Sequence, residues 1–544
     1  MKTFLNKKTI MTFIIFFSVV VQGSYFIAPL IVINIFFLVS LVFKKDTYIF
    51  DKKLGVFIAL FAVMVISTFS SLSLHEGISE LLKYALLPLA YVFFLNMDKE
   101  EQQLTEKAFF WAFFTAMVFG LLGAIGLSPL AGMTSPATGR LQSFFQYANT
   151  AALVMGIGVF YATEKFRTSH KKEYLIIGIC FAIAMFLTAS RVSLVLFVPL
   201  FLLYTFRFVS TKLKLIVLGS IIIVIAVLVF FNNRIVQISI FAPTLVERYI
   251  SYYDAIRLLL QNPFGIGVNN WQFMQFYHQS APYQVQFVHN FYLQIALDGG
   301  FISLGLLLVA LVYALINATK GVYFYIAIFV LSSAFFEVHF NFGSIIMYFM
   351  FVLTQLKTSE KTTGTPTFLS RVLTKVRPLK FALLLPIIPL VVLLVSNYYF
   401  NMGAANENAG NRLEAHDAYS IAHRLNPTNI DLYLRRARTT DDFNMVIYYL
   451  GRGLEVNPWD VQVLSALAKS HASLGNINLA YDYADRLLTV FPLSISNQEL
   501  MRSIIIHKDE EQVETALERL DARIAYINAN INPLYRHIDQ YMLY

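Results

Sequence analysis

From Thr9 to Ser396 the chain is a succession of long apolar runs broken by short polar segments, and that spacing leaves few folds open. About 20 mostly apolar residues cross a bilayer as a helix, and a helix satisfies its own backbone polar groups there. Such runs fall near 9–22, 25–43, 54–73, 79–95, 108–127, 148–163, 174–189, 192–206, 213–231, 290–316, 321–337, 341–356 and 379–396. The opening MKTFLNKKTI resembles a signal peptide. No small-residue cleavage site follows and a second run comes at once, so it reads as a retained anchor. Only 14% of the chain is charged, against about 25% in a soluble domain, which excludes a purely soluble protein and a disordered one. The single Cys180 excludes a disulfide framework and a cysteine-based metal cluster.

Charge tests the thirteen-span reading. With the N-terminus in the cytoplasm and sides alternating, the inner segments carry 23 Lys+Arg. The outer segments before residue 401 carry Arg140, Arg191, Arg234, Arg248 and Arg257 only. That bias obeys the positive-inside rule and puts residues 401–544 outside; an even number of spans would put them in the cytoplasm. Residues 1–400 hold 29 of the 42 Lys+Arg and 15 of the 33 Asp+Glu, a net of +14, whereas residues 401–544 carry a net of −5. The inner cations are mostly Lys, while the outer five are all Arg. A planar Arg fork suits bidentate capture of phosphate or carboxylate; the plainer reading is a general preference for Arg in exported segments, since residues 401–544 hold 11 Arg to 2 Lys.

The last 144 residues hold no long apolar run. Instead LNPTNIDLYLRRA, VNPWDVQVLSALA and a weaker FPLSISNQELMRS recur, with Pro427, Pro458 and Pro492 spaced 31 and 34 residues apart. A period near 34 with proline between paired helices is the tetratricopeptide pattern. Such arrays bind or scaffold, and nothing in this one points to catalysis. The predicted architecture is therefore all-α: a polytopic helical membrane protein of about 12–13 transmembrane helices, then a soluble helical repeat domain. Residues 1–356 form the membrane domain, 357–400 a basic linker and the last transmembrane helix, and 401–544 the tetratricopeptide-like repeats.

Polar groups at membrane depth are costly and tend to be functional, so the outer segments are where chemistry is expected. Four stretches stand out there: the 128–147 loop with Arg140, LTASRVSL with Ser190 and Arg191, ERYISYYDAIRLLLQNPFGIGVNNW with Arg248 and Arg257, and VHNFYLQIALDGGFISLG with His289 and Asn290. In order and placement they resemble the O-antigen ligase and polymerase family, over roughly residues 130–310. LTASRVSL is similar to its Ser-Arg at the outer end of a span, and the Arg248 stretch to its Arg-led helix and Pro-Phe-Gly-x-Gly turn. VHNFYLQIAL is similar to its His-Asn-x-x-Leu motif, and GRLQSFFQYANTAAL to an upstream Arg and Asn segment. Tyr252–Tyr253 departs from the pattern, since relatives often carry Trp there. The resemblance implies a membrane glycosyltransferase of cell-surface polysaccharide biosynthesis. Its donor would be an undecaprenyl-diphosphate-linked glycan and its acceptor a glycan, lipid or protein hydroxyl on the outer face of the cell membrane.

The chemistry fits that implication. A lipid diphosphate already leaves well, so the protein must hold two phosphates and activate a hydroxyl. Arg191 and Arg248, with Arg140, suit the diphosphate, and His289 suits proton removal. We therefore take His289, Arg191 and Arg248 as catalytic candidates and Arg140, Ser190, Arg257 and Asn290 as substrate-binding candidates. No cofactor, metal or nucleic acid is called for; the repeats offer a surface for a protein partner. Plainer roles stand beside these. Arg191 would snorkel at a span end, Arg248 would pair with Glu247 or Asp254, and His289 would cap a helix. Gly265 and Gly267 would make a turn, Gly299 and Gly300 would permit a bend or close packing, and His75, His278 and His339 would be structural. Lys83 and Glu337 lie in or near spans with no assigned partner. A transporter or flippase of a lipid-linked glycan is the alternative function; it would show broken helices and internal repeats, and neither is legible in the sequence. A receptor would leave the outer Arg and His motifs without a purpose. Ligase and polymerase are not separable at this level.

Overall fold

The computed structural model describes all residues except 1–6, 44–47, 209, 211–242, 317, 357–380, 509 and 538–544. Among the described residues there are twenty-one α-helices and no strand. In the membrane part these are α1 (Lys7–Val20), α2 (Ile27–Phe43), α3 (Lys52–Thr68), α4 (Leu74–Leu95), α5 (Lys99–Ala124), α6 (Ala148–Ser169), α7 (Lys172–Leu187), α8 (Arg191–Thr205), α9 (Pro243–Gln261), α10 (Trp271–His278), α11 (Phe291–Leu315), α12 (Val322–Ser333), α13 (Gly343–Gln355) and α14 (Ile387–Asn408). Four helical stretches, Leu74–Leu95, Lys99–Ala124, Phe291–Leu315 and Ala382–Asn408, are long and apolar enough to cross a membrane, and five shorter apolar helices accompany them. Twelve of the thirteen expected spans overlap a helix; the span at 213–231 lies outside the described residues. The chain is thus an all-α, multi-pass membrane protein.

Helix starts follow local chemistry. The Asp51 carboxylate accepts from the Leu54 amide to cap α3, and Asp98 with Glu101 closes a capping box on α5. Apolar faces then pack into one large core, with Phe94, Phe109, Phe113, Tyr348 and Phe351 interlocked between α4, α5 and α13. Hydrogen bonds between loops show which helix ends lie together. Arg140 Nε donates to the Thr188 carbonyl at 2.7 Å, Leu141 N to Leu187 O at 3.1 Å, and Phe291 N to Ala334 O at 2.9 Å. Leu72 N donates to Asn270 Oδ1 at 2.7 Å, and Ser344 Oγ to Gly23 O at 2.9 Å. These loops are tied together at one end of the bundle. Lys8–Glu100 at 2.6 Å and Lys165–Glu106 at 3.0 Å join segments at the opposite end.

Helix α11 is broken within its apolar run. Gly299 and Gly300 leave helical geometry, Gly300 at φ +76°, a left-handed value that glycine adopts without strain. The break is repaired by the Pro263–Gly267 turn: Ile266 N donates to Leu297 O at 2.7 Å and Phe301 N to Pro263 O at 2.9 Å. A Cβ on Gly265 would sit 2.6 Å from the Gly300 nitrogen. The glycines of the two motifs therefore serve each other, as turn and close contact. The bend and the close packing expected of Gly299 and Gly300 are both present; that the turn at residues 263–267 repairs the break is what the sequence does not show.

After α14 come seven helices, α15 (Arg412–Leu425), α16 (Ile430–Thr439), α17 (Phe443–Val456), α18 (Val461–Ser473), α19 (Ile477–Val490), α20 (Ile495–Ile505) and α21 (Glu510–Ala529), each packed on the next. Pro427, Pro458 and Pro492 stand in the turns after α15, α17 and α19. The helices that follow begin at caps: Asn429 accepts from Asp431 N, Asp460 from Val463 N, and Ser494 from Asn497 N. This row rests on the loop end of the bundle. Asn426 Nδ2 meets His75 Nδ1 at 2.8 Å, the Phe276 and Phe491 rings are 4.5 Å apart, and Asn532 N donates to Ser280 O at 2.7 Å.

Candidate active site

Helix α9 carries Arg248, and one face of it packs on α11 through Val246, Ile250, Ala255 and Leu258. That packing turns Arg248 toward the short loop after α12. There Arg248 Nη2 lies 2.8 Å from Glu337 Oε1, and Nη1 donates to the Phe336 carbonyl at 2.9 Å. Neither Glu247 nor Asp254 is its partner. Asp254 is buried and accepts instead from Ser280 N at 2.8 Å and Tyr283 OH at 3.0 Å, and burial pushes its carboxyl above the ordinary range.

Glu337 is the centre of the cluster. Its side chain is 1% exposed, and besides Arg248 it accepts from Asn149 Nδ2 at 2.7 Å and from the Tyr147 hydroxyl. His289 Nδ1 stands 3.8 Å from Glu337 Oε2, too far for a hydrogen bond yet within ion-pair range, and that nitrogen has no hydrogen-bond partner. Burial pushes the Glu337 carboxyl up, but His289, the Arg248 guanidinium and His339 outweigh it and hold the group well below the usual carboxylate range. His339 is fully buried between the Thr150 and Ser333 hydroxyls, at 2.9 and 2.7 Å, and this fixes the loop two residues beyond Glu337. Both ring nitrogens are thus engaged by hydroxyls.

Arg140 joins the same network, since its Nη2 donates to Asn149 Oδ1 at 2.6 Å while Nε grips the turn at Thr188. Arg191 opens α8 three residues past Thr188, so Arg140 anchors the turn from which Arg191 projects. Ser190 is buried, and its hydroxyl donates to Ser193 Oγ at 3.0 Å. Asn290 spends its side-chain oxygen capping α11 through the Leu293 amide. Arg257 faces away from Glu337 and donates to the His278 carbonyl at 3.2 Å; nine residues from Arg248, it lies on the opposite side of α9. Lys83, the other unassigned span charge, forms a buried pair with Glu80 at 2.6 Å.

So the structure gathers Arg140, Arg248 and His289 around one carboxylate. Residues 176–309 match the family model described as O-antigen ligase. The matched O-antigen ligase stretch holds Arg191, Arg248 and His289, whereas Arg140 and Glu337 lie outside it. It supports a membrane glycosyltransferase of O-antigen ligase or polymerase type. No curated protein matches the chain. Glu337, Tyr147, Asn149 and Tyr252 are not among the sequence candidates. The available signals are Glu337 as a lone acid at the end of an apolar run and Asn149 as the Asn of the upstream segment. The Tyr252 hydroxyl donates to the His289 carbonyl and so holds the histidine loop.

Proposed function

We propose that this protein transfers an undecaprenyl-diphosphate-linked oligosaccharide to an acceptor hydroxyl on the outer face of the cytoplasmic membrane. The observation that carries this reading is the convergence of Arg248, His289, Tyr147 and the Asn149–Arg140 pair on Glu337. His289 takes the proton from the acceptor hydroxyl as its oxygen attacks the anomeric carbon. The bond from that carbon to the phosphate oxygen breaks, and the lipid diphosphate leaves with its electrons. Arg191 and Arg248 bind the phosphates and offset the charge that develops on the leaving oxygen. Glu337 orients His289 and stabilises its imidazolium, in the manner of an acid behind a catalytic histidine. It also holds Arg248 in place until a diphosphate arrives.

Sidedness rests on the positive-inside bias together with the clustering of the outer loops at one end, which is the end where residues 401–544 dock. We read those residues as an extracytoplasmic repeat domain that receives an acceptor or a partner protein. The broken helix α11 is not by itself a sign of transport, but it removes one argument against the flippase alternative, so the test must separate the two. Purified protein in liposomes is given labelled lipid-linked glycan, and wild type is compared with His289→Ala and Arg191→Ala. Transfer that both substitutions abolish is expected. Unchanged transfer in both removes the site assignment, and lipid flipping without transfer favours the transporter.

A further inference from the structure

The peptide that carries His289 is held from two directions. On one side the Tyr252 hydroxyl donates to the His289 carbonyl. On the other, the Val288 amide donates to Gln294 Oε1 at 3.1 Å. Gln294 sits in the first turns of α11, and its own amide nitrogen donates to Asp298 Oδ1 at 2.9 Å, one helical turn further on. Asp298 is fully buried at the Gly299–Gly300 break. It also accepts from the Asn269 amide at 3.2 Å and from the Tyr84 hydroxyl at 2.5 Å. One carboxyl group thus ties α4, the loop before α10 and, through Gln294, the residue preceding His289.

A glutamine has a donor end and an acceptor end, and its direction decides what it can hold. Asp298 Oδ1 already faces the Asn269 amide as an acceptor, so it takes the donor end of Gln294. The acceptor end is left for Val288. Reversed, Gln294 would set an NH2 group against the Val288 amide. We propose that Asp298 and Gln294 are positioning residues for the transfer reaction, fixing the separation of His289 from Glu337 by holding the preceding residue, Val288, through its amide. This rests on the transferase reading of His289 given above. Neither residue touches substrate.

The test uses the full-length protein in liposomes with labelled lipid-linked glycan, measuring rate against donor concentration and pH for wild type, Gln294→Leu and Asp298→Asn. Gln294→Leu removes the acceptor for Val288, and a displacement of about 1 Å at a reacting group can cost about 100-fold in rate. We expect kcat to fall about 10- to 100-fold, KM for the donor to stay within about twofold, and the acid limb of the rate profile to move as the site geometry changes. Asp298→Asn can still accept from Gln294 with its remaining oxygen, so a smaller fall with the same shift in profile is expected; it also serves if Gln294→Leu does not fold. Profiles that superimpose on wild type, with rates that fall only in proportion to folded protein by size exclusion, overturn the inference and leave a packing role. Absence of transfer by wild type itself overturns the transferase reading, and this inference with it.

Discussion

The Arg248 guanidinium lies 2.8 Å from the Glu337 carboxylate although 89 residues separate them in the chain. Both groups are largely withdrawn from solvent, with side chains 15% and 1% exposed. Removing one member of such a pair leaves an uncompensated buried charge, which costs about 3–5 kcal/mol where burial is complete. The pair also sets a carboxylate oxygen 3.8 Å from His289 Nδ1.

Glu337→Gln is therefore expected to lower transfer at least about 100-fold, because it removes the charge behind His289 and frees Arg248 at once. Tyr147→Phe removes one hydrogen bond to the same carboxylate and should cost about tenfold or less. Both are measured as labelled glycan transferred in liposomes. Equal effects of the two substitutions would show that the charge of Glu337 does not matter to the reaction.

Acid should destabilise this centre in a window set by His339. Burial lowers its pKa to about 4, the Glu337 charge pulling back only in part and the Arg248 charge adding to the fall. The unfolded value is about 6.5, so between these two values the unfolded chain binds the extra proton. Stability is full above about pH 6.5 and is lost as pH falls toward 4, by up to about 3 kcal/mol. The contribution of Glu337, depressed as well, is lost as pH falls below its unfolded value of about 4.3, beneath the pH 4.5 end of the measurement. Thermal unfolding in nanodiscs from pH 7 to 4.5 should show a steep decline for wild type and a flatter one for His339→Asn. Parallel slopes would remove His339 as the cause.

How much of this is legible in the sequence depends on range. Apolar period and Lys bias are properties of each run, so the helices and the ordering of loops can be read directly. The Arg248 and His289 motifs are likewise local. Glu337 cannot be placed, because its partners at 147, 149, 248 and 289 belong to other loops and nothing beside it in the chain signals them. The break in α11 is only half legible: Gly299 and Gly300 signal a bend or close packing, but nothing signals which turn repairs it. Its run is apolar on both sides, and the groups that repair it come from residues 263–267. Asn290 and Ser190 have side chains suited to substrate, and the fold commits Asn290 to capping a helix and Ser190 to a neighbouring hydroxyl.

The interlock of that break with the Pro263–Gly267 turn makes a sharp contrast between glycines of one helix. A Cβ on Gly300 would stand 2.4 Å from the Phe264 carbonyl carbon, at φ +76°. Gly305, further along α11, has nothing within 4 Å of that position. Gly300→Ala should destabilise by more than about 1 kcal/mol, whereas Gly305→Ala should be neutral or slightly stabilising through its effect on the unfolded chain. Unfolding temperatures in detergent measure both. Similar shifts for the two would mean that the turn does not press on the break.

Docking of the C-terminal helices on the bundle should matter for acceptor use more than for donor use. The contact is made by aromatic pairs, Phe276 with Phe491 at 4.5 Å and Tyr277 with Trp459 at 5.4 Å, and each pair is worth about 0.5–1.5 kcal/mol beyond burial. The row has cores of its own around Leu464, Leu467 and Leu487, and around Ala484 and Ile505, so loss of the contact need not unfold it. Helix α10, which bears Phe276 and Tyr277, leads through the 279–288 loop to His289, while the Arg248–Glu337 pair is made by α9 and the loop after α12. A Trp459→Ala/Phe491→Ala double variant should therefore lower transfer about tenfold at fixed acceptor, leave KM for the lipid-linked donor within about twofold, and expose the 279–286 loop to protease. Equal losses in donor KM and acceptor use would argue against an acceptor role for residues 401–544 and for a purely supporting one.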